Sequence, residues 1–239
     1  MLDHSSSKPL YVQLEELIRE KLEKEIWVSG DLIPSENELS KECGVSRMTV
    51  RNVITKLVQE GLLFRIPGKG TYVSEPKIIA DTLSYAGIRE QLEKMGYEVT
   101  TKLLEAAAKT GTKEMCDVFE IEPNSLLYTI KRIRYVRNEP FSLHTSYIPV
   151  ELAPGLDKLN LVNEQLCTIL SNEYGLIRKH TQETLESVAA TKEEAKLLNI
   201  PIHHPLLLLQ DTIIGKNGKP FEISSVLFRG EKIKLRLEF

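Results

Sequence analysis

Cysteine is scarce. Cys43, Cys116 and Cys167 are the only three in 239 residues, lie far apart, and form no CxxC pair or His/Cys cluster. An odd, scattered set excludes a disulfide scaffold and a structural zinc site of the usual spacing, and fits a reducing cytoplasm. Missing too is any apolar run near the roughly 20 residues needed to cross a bilayer. The opening Met1-Leu2-Asp3-His4-Ser5-Ser6-Ser7 has no basic stretch leading into an apolar one, so no signal peptide is expected there. No GxSxG elbow, HExxH pair or paired-carboxylate motif occurs, which weakens an enzyme reading without excluding it. Net positive charge is also lacking, because 31 basic residues face 34 acidic ones for a net of −3. That excludes a chain coated in nucleic-acid-binding charge but leaves room for a local basic patch. With 41% apolar and 27% charged residues the chain can bury a core, and its length suits one large domain or two small ones. The expectation is a soluble, cytoplasmic protein of two domains that needs no cofactor and no metal.

Residues 9–26 read as an amphipathic helix, with Leu10, Leu14, Leu17, Ile18 and Leu22 at three- and four-residue steps and Pro9 in the first turn. Gly30-Asp31 breaks the pattern. Ser35-Glu36-Asn37-Glu38 is a capping box that opens a short helix with Leu39 and Cys43 inward, and Gly44 ends it in a tight turn. Ser46 then caps a helix over about 47–60. Its apolar stripe is Val50, Val53, Ile54 and Leu57, and Arg47, Met48, Arg51, Asn52 and Thr55 lie opposite. Two helices joined by a Gly-containing turn form a helix-turn-helix. The strand around Leu62–Ile66, the turn Pro67-Gly68-Lys69-Gly70 and the strand Thr71–Val73 add a wing.

Charge segregates with these elements. Residues 46–73 carry five basic side chains against one acidic, and residues 9–45 carry four against nine. The positive charge sits on the one helix and one hairpin that would touch a duplex. An arginine entering the major groove can grip guanine O6 and N7, with about 1–3 kcal/mol of discrimination per good pair. Ser46 and Thr49 suit phosphate contacts beside the N–H groups of a helix start. Alone, an Arg pair on a helix is a solvated face and Pro-Gly-Lys-Gly is an ordinary turn. Their order along the chain favours DNA.

Leu32-Ile33-Pro34-Ser35-Glu36-Asn37-Glu38-Leu39, Gly44-Val45-Ser46-Arg47-Met48-Thr49-Val50-Arg51 and Pro67-Gly68-Lys69-Gly70-Thr71-Tyr72-Val73 resemble the GntR family of bacterial transcription regulators. The resemblance runs through residues 9–73. It implies DNA contacts at Arg47, Thr49 and Arg51 and along the wing at Gly68, Lys69 and Gly70, with Ser35 and Glu36 contributing at the start of the preceding helix.

Ser74-Glu75-Pro76-Lys77 is polar and contains proline, so a linker is expected over 75–82 between domains at 1–74 and 83–239. Beyond it the pattern is mixed α and β. Helices are expected at 89–95, 163–174 and 191–198, and a strand at 98–107. Hairpins are expected at 126–136 with 141–148, and at 205–214 with 221–228. Asn-Glu-Pro-Phe-Ser and Gly-Lys-Pro-Phe-Glu occupy the same place in the two hairpins, a hint of internal duplication. Arg132 and Arg134 share one face of their strand, and Ile133 and Tyr135 take the other. Two converging guanidinium groups suit a phosphate or carboxylate, although a solvent-facing strand with structural ion pairs has the same pattern. His144 falls across the hairpin on the same side as Ser142 and Ser146. His203-His204 lacks a third ligand nearby and reads as structural.

Arg132-Ile133-Arg134, Glu139-Pro140-Phe141, Tyr147-Ile148-Pro149, Tyr174-Gly175-Leu176 and Phe228-Arg229-Gly230-Glu231 resemble the UTRA ligand-binding domain, which has the chorismate-lyase fold and defines the HutC subfamily. The resemblance implies an α+β chain, a winged helix-turn-helix followed by an effector domain, that dimerises and binds a small anion. It places the anion on Arg132 and Arg134 and on the N–H groups of Gly87, Ile88 and Arg89. It places His144 against the effector, Gln165 near the anion, and Glu222 and Phe228 on the other side. Relatives often carry Phe then Ser or Thr at Ile88-Arg89, Glu at His144, Ser at Gln165 and Tyr at Phe228. Losing a Glu at position 144 removes a partner for sugar hydroxyls, and Arg89 adds a third positive charge. The expected function is a dimeric regulator, by family habit a repressor, on double-stranded inverted-repeat DNA, with no membrane partner. The alternatives are a lyase-like enzyme with an added DNA-binding module and an architectural DNA-binding protein without a ligand.

Overall fold

A computed structural model describes residues 2–3, 5–75, 77–80 and 88–236. The chain forms two compact units, Met1–Lys77 and Ile78–Phe239. In the first, α1 (Leu10–Glu23) buries Leu14 and Ile18. It ends three residues before the expected boundary, because Glu25 turns to φ 53°. α2 (Glu36–Cys43) begins in the expected capping box, with the Glu38 N–H bonded to Ser35 Oγ and the Ser35 N–H to Glu38, and it stops at Gly44 in the left-handed region. α3 (Arg47–Gln59) is capped by Ser46, whose Oγ accepts the Thr49 N–H at 3.1 Å. β1 (Leu63–Ile66) and β2 (Gly70–Val73) pair antiparallel as the wing. Leu14, Ile18, Leu39, Val50, Ile54 and Leu57 meet in one core, so the helix-turn-helix is held by the stripes visible in the sequence.

The second unit contains β3 (Ile78–Ala80), α4 (Ile88–Lys94), β4 (Val99–Thr110), α5 (Lys113–Phe119), β5 (Leu126–Val136) and β6 (Glu139–Pro149). Two 3-10 turns follow, then α6 (Leu166–Tyr174), β7 (Arg178–Ala189), α7 (Lys192–Leu198), β8 (Pro205–Gly215), β9 (Pro220–Arg229) and β10 (Ile233–Leu235). β3 pairs parallel with β10, so part of the stretch expected as linker is a strand of this unit. Three residues are too short to show periodicity. The other six strands form an antiparallel sheet in the order β4-β5-β6-β9-β8-β7.

That order reads the same from either end, as the hint of duplication requires. Each half is strand, capped helix and hairpin. Thr112 caps α5 and Thr191 caps α7; the helices end on left-handed Glu120 and Asn199; and a second left-handed residue, Asn124 or His203, precedes each hairpin. α5 and β7 were not expected from the sequence. β7 is exposed along nearly its whole length, so neither face carries the alternation that marks a strand. Thr191 and Glu194 form a full capping box on α7, whose Ala195 and Leu198 pack against Ile133 and Leu143 on one face of the sheet. Replacing Thr191 with Ala is expected to lower the stability of this unit by about 1 kcal/mol, measured as the shift of its urea midpoint at unchanged slope.

The opposite face of the sheet carries two clusters. Leu92 of α4 packs on Val226 and Phe228, and Leu166, Ile169 and Leu170 of α6 pack on Ile130 and Ile148. The gap between them is where polar side chains of the sheet are covered.

Candidate DNA-binding face and effector recess

Arg47, Met48, Arg51 and Asn52 are exposed on α3, opposite its buried stripe. Of the five basic residues between Ser46 and Val73, two are committed within the unit. Lys56 reaches Glu15 at 2.8 Å, and Arg65 donates to Glu36 at 3.0 Å and to Thr55 at 3.2 Å. Arg47, Arg51 and Lys69 have no acidic partner among the described residues, which leaves their charge available to phosphate or bases. Ser46 and Thr49 hydroxyls lie 2.9 Å apart at the start of α3. Ser35 is a cap and Glu36 a brace for Arg65, so the structure gives both a local job at the expected position. Gly70 sits at φ +133°, and a Cβ there would lie 2.5 Å from Leu32 Cδ1. Gly68, at φ +74°, has open space around it at the wing tip.

A recess in the second unit opens between α4, α6 and the covered face of the sheet, with about 540 Å³ of empty space including its mouth. Ile88, Arg89, Arg132, Arg134, His144, Gln165, Glu222 and Phe228 all line it, so all of the expected effector residues except Gly87 come together. Gly87 lies outside the described residues. The alternation of β5 does this: Arg132 and Arg134 turn to the recess and Ile133 to the other face. Arg132 sits opposite His144, and Arg134 opposite Ser142, in the β5–β6 register. Gln165 is the N-cap of α6 without a capping hydrogen bond of its own, and its Oε1 receives the Cys167 thiol at 3.8 Å.

Burial sets the electrostatics. Arg134 is pulled down to about 9, first by desolvation and then by the like charges of Arg132 and Arg89. Burial also holds His144 well below its usual range, with the charges of Arg134 and Arg132 adding to the effect. The neutral ring shares a 2.8 Å hydrogen bond with Ser142 and meets Phe228 edge-on. Arg89, expected as a third positive charge, is offset by Glu93 at 2.7 Å. His204 pairs with Glu231 at 2.7 Å, a structural role as expected.

Sequence reasoning missed Cys167, Asp211 and Ser224, which also line the recess, and placed Ser146 beside His144 without giving it a role. Asp211 is buried, accepts Ser224 Oγ at Oδ2 (3.1 Å), and leaves Oδ1 with no hydrogen-bond partner among the described residues. The duplication could have found it, since Arg132 and Asp211 are each the seventh residue of their eleven-residue strands. Among the described residues no group of three His, Cys, Asp or Glu side chains converges as a metal site, and no helix is long and apolar enough to cross a membrane.

The gntR family of bacterial regulatory proteins matches residues 10–73, and the UTRA domain matches residues 94–234. The chain is 31% identical to YurK, an uncharacterized HTH-type transcriptional regulator of Bacillus subtilis, over 98% of this chain and 96% of that one. It is 29% identical to the HTH-type transcriptional repressor NagR of the same organism, covering 97% and 95%. The crystal structure of PhnF from Mycobacterium smegmatis shares the fold at a TM-score of 0.67 and 21% identity, over 97% of this chain and 99% of that one. These relatives are transcription regulators, which sets aside the lyase-like alternative. With both modules in place on one α+β chain, the protein belongs to the GntR family of DNA-binding transcription regulators, in its UTRA-bearing HutC branch, and is not an enzyme.

Proposed function

We propose that this regulator represses transcription as a homodimer on an inverted-repeat operator, and that a small anionic metabolite, a sugar phosphate or carboxylate, controls it from the recess. The observation that carries the effector reading is Arg134: a buried guanidinium with no ion pair among the described residues, beside a second guanidinium on the same strand face. A buried cation in that state is completed by an anion that brings paired hydrogen bonds. Arg47, Arg51 and Lys69, free of acidic partners among the described residues, support the DNA reading, with Thr49, Gly68 and Gly70 beside them. Two such faces related by a two-fold axis read two half-sites, so operator symmetry mirrors protein symmetry. The effector changes DNA binding only through a difference in its affinity for the DNA-competent and DNA-incompetent states. This reading places the protein in the cytoplasm with its DNA.

The test is to incubate purified protein with sheared genomic DNA of its source at moderate, fixed salt and sequence what it retains, because phosphate contacts alone are sequence-blind and salt-steep. Enrichment of a short inverted repeat, relieved by anionic metabolites of the neighbouring genes, is expected. Retention without any shared sequence, or a repeat that binds one chain per site, overturns the proposal.

A further inference from the structure

The six-stranded sheet has two edges, β4 and β7, and they differ. β4 is half-buried from Leu103 to Ala107 and bulged between Leu103 and Glu105, a break that spoils an edge for pairing. β7 keeps one unbroken register with β8 from His180 to Ala189, and neither proline nor lysine falls in that stretch. All of its residues except Thr181 and Val188 are exposed, so neither of its faces is packed over. A long, regular, open edge of this kind is a template for one more strand.

The backbone shows which residues would bond to that strand. Pro205 accepts the Gly230 N–H at 3.3 Å on the β9 side, while Ala190 donates to His204 at 2.9 Å on the β7 side. Ala189, opposite Pro205, therefore turns its N–H and C=O away from β8. Alternation carries this along the unbroken ladder, so Thr181, Glu183, Leu185 and Ser187 also offer their N–H and C=O groups to the open side.

Charge says which strand fits. β7 begins with Arg178 and Lys179 and carries Glu183 and Glu186 further on. Lys179, Glu183 and Glu186 have no ion-pair partner among the described residues. A two-fold axis brings the same patch of both copies together, so such an interface must be complementary to itself. An antiparallel copy of β7 meets that condition. Centred on Gln182, it sets the Arg178-Lys179 end of each strand against the Glu183–Glu186 stretch of the other, with no glutamate opposite a glutamate. We propose that β7 is the dimer seam, where two copies pair β7 with β7 and join their sheets into one by strand addition. This inference rests on the proposed homodimer and names its surface.

The test is sedimentation equilibrium of the full chain, with melting curves as the check on folding. Leu185→Pro removes an outward N–H that β8 does not use, a place where an edge strand tolerates proline. It is expected to leave the protein folded and to weaken the dimer by about tenfold or more. Two further variants keep the backbone unchanged and decide the matter even where the proline variant melts early. One carries Arg178→Glu with Lys179→Glu, and the other Glu183→Lys with Glu186→Lys. Each alone is expected to dimerise about tenfold more weakly than the parent, because like charges now meet across the seam. Mixed together, the two are expected to form a one-to-one dimer as tight as the parent's. A dimer that survives in all three variants overturns the β7 seam and leaves the homodimer standing. So does a loss in the charge variants that mixing fails to repair. A parent that stays monomeric at every concentration, with and without its operator, overturns the homodimer, and this inference with it.

Discussion

Alanine at both Arg47 and Arg51 is expected to weaken operator binding by roughly thirtyfold or more, at about 1–3 kcal/mol for each base-gripping arginine. The same double variant should melt within about 0.5 kcal/mol of the parent, because both side chains are exposed and bond to no carboxylate among the described residues. Lys56 and Arg65 make the control. They are on the same helix and wing, but their charge is spent on Glu15 and Glu36, and their removal disturbs the domain rather than the reading of bases. Fluorescence anisotropy at one fixed salt concentration, on operator and on scrambled duplex, separates the outcomes. A loss confined to the operator marks base contact. An equal loss on both duplexes, with a shallower salt dependence, would reduce the two arginines to phosphate anchors.

The second large effect concerns Arg134. A guanidinium normally stays charged far above neutrality, yet burial and two neighbouring cations bring this one down to about 9. Its charged form is therefore held less well in the folded protein than in the unfolded chain. The resulting penalty is full at every pH below about 9 and fades only as pH climbs toward the group's ordinary value. Replacing Arg134 with Met removes the charge and keeps much of the apolar stem. The ligand-free variant is expected to be more stable than the parent at pH 7 by about 1–3 kcal/mol, as when buried ionic groups give way to apolar ones of similar volume. Inorganic phosphate should raise the parent's melting temperature and leave the variant's unchanged. A variant less stable than the parent would mean that Arg134 holds the fold together, and would remove the premise that an anion completes it.

The DNA-binding unit could be read from the sequence almost residue by residue, because everything that fixes it is local: a capping box at Ser35, a glycine at the turn, a cap at Ser46, and apolar stripes that need only each other. The recess was less open to reading. Arg132 and Arg134 stand out because two charges interrupt an apolar strand at the spacing of one face. Ile88, Gln165, Glu222 and Phe228 come from four separate elements, and only likeness to relatives tied them together. Asp211 stayed hidden inside the run Leu-Leu-Leu-Leu-Gln-Asp-Thr-Ile-Ile. A single acid there resembles an interruption until strand order puts β8 on the far side of β9 from Arg132. β7 gave no signal, since a strand exposed on both faces has no burial pattern to leave in its sequence.

The mirrored strand order has a consequence for the orientation of a guest. Two alike halves around the seam between β6 and β9 would make a cradle that an elongated molecule could enter head first or tail first with equal ease. Here the equivalent seventh positions hold opposite signs, Arg132 in one half and Asp211 in the other, and their partners across the ladder are an imidazole and a hydroxyl, His144 and Ser224. An architecture of two alike halves is thus polar. Under the proposed effector reading, a lopsided molecule has one way to lie there, with the same end toward α4 every time.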